Sequence, residues 1–218
     1  MKKYLTLTTG VLALLASNTA LAGENNIVSR KLDLAGFDAI NIAGVYEIDV
    51  RVGSGYSVEL SGPENEMNRV EVSVKNGALV LDQRKRQRGE KKLNHRDGVE
   101  AVVTMPSLTA LKVSGVVDGQ IEGVDADNFS VKISGVGDVR IDGECGNLEA
   151  KLSGVGDLDA RGLECRVGDI RVSGVGSATV FTSDEVEARV SGMGDIDVYG
   201  SPEKVRKNKG MFADITVH

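Results

Sequence analysis

Five stretches decide the fold: SGVVDGQ from Ser114, SGVGDVR from Ser134, SGVGDLD from Ser153, SGVGSAT from Ser173 and SGMGDID from Ser191. Their serines are 20, 19, 20 and 18 residues apart. A worn copy, AGVYEID from Ala43, carries Glu47 where the later copies carry Asp. A fixed period of this length marks a stacked-repeat architecture, because so small a unit cannot bury its apolar face alone. Around each phrase apolar and polar residues alternate. Val131 and Ile133 precede the second copy and Val139 and Ile141 follow it, while Ile170, Val172, Ala178 and Val180 flank the fourth. Period-two alternation in β-branched residues describes half-buried strands, and nothing in the repeats has helical spacing.

Each repeat therefore reads as a short strand, a glycine corner, a second strand and a turn. Stacking the repeats pairs each strand with its counterpart one coil away, so the expected fold is all-β, a single-chain β-solenoid (β-helix). Its coils hold about 18–20 residues, are clearest over 107–200, and are expected to wind right-handed. A sandwich of antiparallel strands fits the spacing but leaves the repetition unexplained. Gly135, Gly154, Gly174 and Gly192 are predicted to form corners that a β-carbon enters only at a cost. Before the repeats, strands are predicted over 37–42, 46–52, 57–61, 70–74, 78–83 and 99–105, with Asn76-Gly77 as a hairpin turn.

The N-terminus reads as an address. Lys2 and Lys3 precede an apolar stretch over 5–16, and Ala20-Leu21-Ala22 has the small-x-small form of a cleavage site. Residues 1–22 are expected to be a signal peptide cleaved after Ala22, leaving 23–218 as one solenoid domain in the periplasm or secreted. No later stretch is apolar for long enough to span a membrane as a helix. Loss of Lys2 and Lys3 leaves 24 basic against 32 acidic residues. That balance, with only 4% aromatics, argues against a nucleic-acid partner.

The phrases GVYEIDV (44–50), SGVGDVRIDG (134–143) and SGMGDIDVYG (191–200), with the alternation between them, resemble the bacterial GIN-domain family, labelled as auto-transporter adhesin heads and without an assigned function. The resemblance covers roughly 36–200 and implies a secreted stack of β-coils. Here SGVG occurs more often than the family's SGSG, and no translocator barrel is expected after the repeats.

Three features are candidates for function. The first is the charged loop over 83–98, in which Arg84, Lys85, Arg86, Arg88, Lys91 and Lys92 cluster. It is read either as a site for an anionic envelope polymer or as a solvated excursion that prevents edge pairing. The second is the column of Asp118, Asp138, Asp157 and Asp195, interrupted by Ser177. Stacked carboxylates repel, so they are expected either to cap the free amides of the glycine corner, the preferred reading, or to hold calcium. The third is a disulfide between Cys145 and Cys165, which each lie eight residues before a repeat serine and so share a place on adjacent coils.

Two histidines and no nucleophile–base, zinc or phosphate-loop motif leave catalysis without a candidate residue. The chain is read as a non-enzymatic, secreted binding or structural module of the cell envelope, without cofactor. Its partner would be an envelope polymer, glycan or protein, with a homo-oligomer as a further option. The alternatives are a carbohydrate-active solenoid enzyme and a calcium-dependent adhesive module.

Overall fold

The computed structural model describes residues 26–88 and 98–218. The expected leader over 1–22 and Lys91 and Lys92 of the charged loop lie outside the described residues. The described strands belong to one 15-stranded sheet coiled into a solenoid. They are β1 (Ile27–Leu32), β2 (Ala39–Ala43), β3 (Val45–Val52), β4 (Ser57–Pro63), β5 (Val70–Lys75), β6 (Ala78–Gln83), β7 (Val99–Met105), β8 (Ala110–Val113), β9 (Val116–Ile133), β10 (Val136–Leu152), β11 (Leu158–Val172), β12 (Ala178–Val190), β13 (Gly194–Tyr199), β14 (Lys204–Lys209) and β15 (Ala213–Val217).

The long strands β9 to β12 wrap around the coil instead of running straight. Their register slips at Ile141/Gly143 between β9 and β10, and at Ala160/Glu164 between β11 and β12. Such slips let a strand bend. Three faces result. An approach face (130–133, 149–152, 169–172, 187–190) leads into each SG corner, a departure face (136–141, 158–160, 178–180) leaves it, and a closing face (143–147, 163–167) completes the turn.

Equal offsets in the repeat become vertical ladders. Val113, Ile133, Leu152, Val172 and Val190 pair in sequence along the approach face, and all are buried. Each such aliphatic side chain contributes about 1.5–3 kcal/mol by leaving water.

The corners demand glycine because coils meet there backbone to backbone. A β-carbon on Gly135 would stand 1.9 Å from the Gly115 carbonyl oxygen, and one on Gly154 would stand 1.8 Å from that of Gly135. The same approach carries the hydrogen-bond ladder around the corner. Val136 N–H donates to the Gly115 carbonyl (2.9 Å), and Val155 and Val175 repeat the bond at 3.0 Å on the next two coils.

The stack does not follow the order of the chain. Along one side it runs β4-β7-β3-β9-β10-β11-β12-β13-β15. The worn copy in β3 pairs in parallel with β9, Glu47 opposite Asp118, and on its other side with β7, Tyr46 opposite Val99. Likewise β2 lies between β6 and β8. Strands β6 and β7 thus form a further coil below the worn copy, and the chain returns across it to begin the repeats. That end is closed by strands of opposite direction: β4 against β7, β1 against β4, and β5 against β6 through the Asn76-Gly77 turn, where both residues have positive φ (51° and 76°). At the far end β14, KVRKNK, is exposed along its whole length, and its lysines discourage edge-to-edge pairing.

Candidate binding surface

The described part of the charged loop starts where β6 ends. Arg86 reaches back to the one-turn helix α1 (Glu64–Met67), where its guanidinium bonds the Glu66 carboxylate at 2.6 Å. Glu66 is only 7% exposed and also pairs with Arg69, whose Nε and Nη2 donate to the Arg84 carbonyl at 3.1 and 2.9 Å. A buried carboxylate needs such partners, since its desolvation is otherwise uncompensated. Arg86 and the backbone of Arg84 therefore hold the loop's root to α1, while Lys85 and Arg88 face solvent. Beside them the Tyr46 hydroxyl donates to the Asp82 carbonyl at 2.9 Å, and burial raises its pKa far above the ordinary phenol value.

At the glycine corner the expected Asp column exists with different bonds, and a column of serines stands with it. The Ser114 and Ser134 hydroxyls donate to the carbonyls of Ile42 and Val113, each at 3.1 Å, so serine ties its coil to the coil below. The Asp carboxylates do not cap their own corner. Asp138 accepts the N–H of Asp157 (3.0 Å), Asp157 accepts that of Ser177 (2.7 Å), and Asp195 accepts that of Asp214 (3.0 Å). Each reaches one coil onward. Among the described residues no group of three or more His, Cys, Asp and Glu side chains could hold a metal ion.

A column the sequence reading overlooked runs along the approach face. Lys112, Lys132, Lys151, Arg171 and Arg189 lie in register, each two residues before a repeat serine. A second column, Glu149, Asp169 and Glu187, runs beside it and shares ion pairs with it, such as Lys132–Glu149 at 3.0 Å and Arg171–Asp169 at 2.7 Å. Hydrogen bonds from Lys151 and then Lys132 pull the Glu149 carboxyl down to about 2. The signal was present as a basic residue, an apolar residue and serine, five times over.

Cys145 and Cys165 are bonded, with Cα atoms 4.4 Å apart in paired positions on the closing face. They are 8% and 2% exposed, so the bridge belongs to the core edge and not to an open turn. Ala126 and Thr182 occupy the same level on the coils to either side. Outside the bridge lies a shallow groove lined by Asp125, Asp127, Glu144, Glu164 and Arg166.

Gly135, Gly154, Gly174 and Gly192 share one corner line. The Asp column stands on its departure side and the cation column on its approach side, and the charged loop leaves β6 at the end of that line, where Gln83 Oε1 accepts the Val45 N–H at 3.2 Å. No helix of the described residues is long and apolar enough to cross a membrane.

This arrangement has solved counterparts. A crystal structure of a "putative adhesin" from Bacteroides fragilis superposes with a TM-score of 0.71 at 24% identity, covering 89% of this chain and 98% of that one. A "putative adhesin" from Parabacteroides distasonis gives 0.52 at 16% identity, with the same coverages. These likenesses concern the fold. No curated protein matches the chain in sequence. The model of the family described as "Putative auto-transporter adhesin, head GIN domain" matches residues 36–202, and the chain belongs to that family.

Proposed function

We propose that the chain is an exported, non-enzymatic binding module of the cell envelope. In this reading residues 1–22 direct export and are removed after Ala22, and 23–218 work as one solenoid in the periplasm or outside the cell. The carrying observation is the outer surface itself. Its ionisable groups stand in columns one coil apart on open faces, and they meet neighbouring amides or ions of opposite charge. Such a surface suits an extended, charged partner such as an envelope polymer, a glycan or a protein face. The intramolecular disulfide fits an oxidising compartment.

Lys85 and Arg88 extend this reading to anionic glycolipid, because both are exposed cations of the described loop, whereas the exposed Arg86 is held by Glu66. The test is binding of the purified chain to envelope membranes across a salt series. Saturable binding that weakens with salt, and weakens further in Lys85→Ser/Arg88→Ser, supports both statements. Absence of saturable binding overturns the module, and equal binding by the variant overturns the loop's part. Release of reducing ends from envelope glycans would overturn the non-enzymatic reading.

A further inference from the structure

The corner also carries an apolar ridge that the chain leaves open. Val45, Val116, Val136, Val155, Val175 and Met193 are 40–57% exposed, one on each successive coil. Bridges join Val136 to Val155, Val155 to Val175 and Val175 to Met193, and strand pairing joins Val116 to Val136 above it and to Val45 below it. The register of β13 and β15, Gly194 opposite Ala213, places Phe212, 73% exposed, next after Met193. Single exposed apolar side chains are ordinary on a protein surface, but an unbroken line over six successive coils marks an interaction site.

Two properties of the ridge point to its occupant. Its period is that of the coils, about 4.8 Å, so a surface of the same pitch can meet it at every level. Its flanks have opposite sign. On the approach side the five-membered cation column outnumbers the three carboxylates beside it. On the departure side Asp118, Asp138, Asp157 and Asp195 form no ion pair among the described residues. Consider two copies meeting ridge to ridge about a two-fold axis parallel to the stack. The cation column of each then faces the carboxylate column of the other on both sides, and each ridge residue meets its own counterpart. An antiparallel pair, related by an axis perpendicular to the plane of both stacks, sets like charge against like.

We propose that a second copy of this chain covers the ridge, forming a parallel, two-fold symmetric dimer. Symmetric self-association through one patch is the commonest form of oligomer, and here the patch is self-complementary in pitch and charge. The proposal rests on the corner's geometry and stands apart from what the module binds.

Sedimentation equilibrium of the purified chain tests it, with two variants. The unmodified chain is expected to dimerise with increasing concentration. Val136→Ser/Val155→Ser/Val175→Ser is expected to raise the dissociation constant about 100-fold or more, since three apolar side chains lose their burial, with an unchanged circular dichroism spectrum. Met193→Cys is expected to form an interchain disulfide on oxidation, because only the parallel arrangement brings this residue to its own copy; the natural cysteines already pair within the chain. A monomer at all concentrations overturns the dimer, as does a dimer indifferent to the three serines. A dimer in which Met193→Cys does not cross-link overturns the parallel arrangement. A monomer that sediments with phosphatidylcholine–phosphatidylglycerol vesicles, and loses this in the triple variant, gives the ridge to a lipid surface and overturns the proposal.

Discussion

The N-terminal region over 27–105 and the repeat region over 110–200 build the same kind of coil from different materials. The N-terminal coils hold most of the largest fully buried side chains, among them Phe37, Ile40, Ile48, Leu79, Leu81 and Met105. The repeat coils fill the equivalent interior with smaller groups such as Ala150, Ala160, Ala178 and Ala188. What they lack in apolar volume they offset by regularity: glycine corners in backbone contact, side chains bonded one coil onward, and a disulfide across two coils. The N-terminal coils also reverse strand direction at the edge, which closes the stack. Stability in one region should therefore depend on side-chain volume, and in the other on backbone proximity.

The sharpest way to break this contrast is Gly154→Val. With the Gly135 carbonyl oxygen 1.8 Å from the new β-carbon, two coils must separate. We expect a loss of more than about 4 kcal/mol or no folded protein, measured by urea denaturation. Gly53→Val, at a glycine with open space around it, should cost far less. Near-equal effects would show that the corners are not in contact.

Next in size is Leu79→Ala in the N-terminal core, which should cost about 3–5 kcal/mol through the cavity it leaves. Removing the disulfide as Cys145→Ser/Cys165→Ser should cost about 3 kcal/mol, set by the 20-residue separation it closes. A disulfide loss without effect would mean that the corners alone hold the repeat coils together.

The smallest effect concerns pH. The Glu149 pKa is lowered by its two lysines from 4.5 to about 2. A carboxyl depressed in the folded state contributes stability that is complete above its unfolded pKa and is lost as the pH falls through the folded value. Glu149→Gln should thus flatten the fall in stability between pH 4.5 and about 2, by less than about 1 kcal/mol because the pair is exposed to solvent. An unchanged slope would show that the lysines do not hold Glu149 in solution.

Local features were legible in the residues. Alternation located β2 to β7 within two residues at each end, Asn76-Gly77 announced its hairpin, and equal offsets from Ser153 and Ser173 paired the cysteines. The repeat's departure from chance revealed the solenoid. The order of the N-terminal coils was not legible, because alternation in 78–83 and 99–105 says that a segment is a strand and is silent about its neighbour. Pairing β3 with β9 across 63 intervening residues is a tertiary choice made by burial. Strand β1 escaped notice because its residues are mostly exposed, and β14 because KVRKNK reads as a charge run. The cation column, by contrast, was readable and was missed. In K-x-S and R-x-S the eye stops at the repeated serine.

The central claim is that sequence order and stack order differ, with the worn copy lodged between residues 99–105 and the first full repeat. An oxidised Glu47→Cys/Asp118→Cys variant tests it most directly, since these positions are paired across β3 and β9. Thiol titration after denaturation without reductant should find no free thiol, the new pair and Cys145–Cys165 both being closed. Two free thiols per chain would place the worn copy elsewhere and contradict the stack described here.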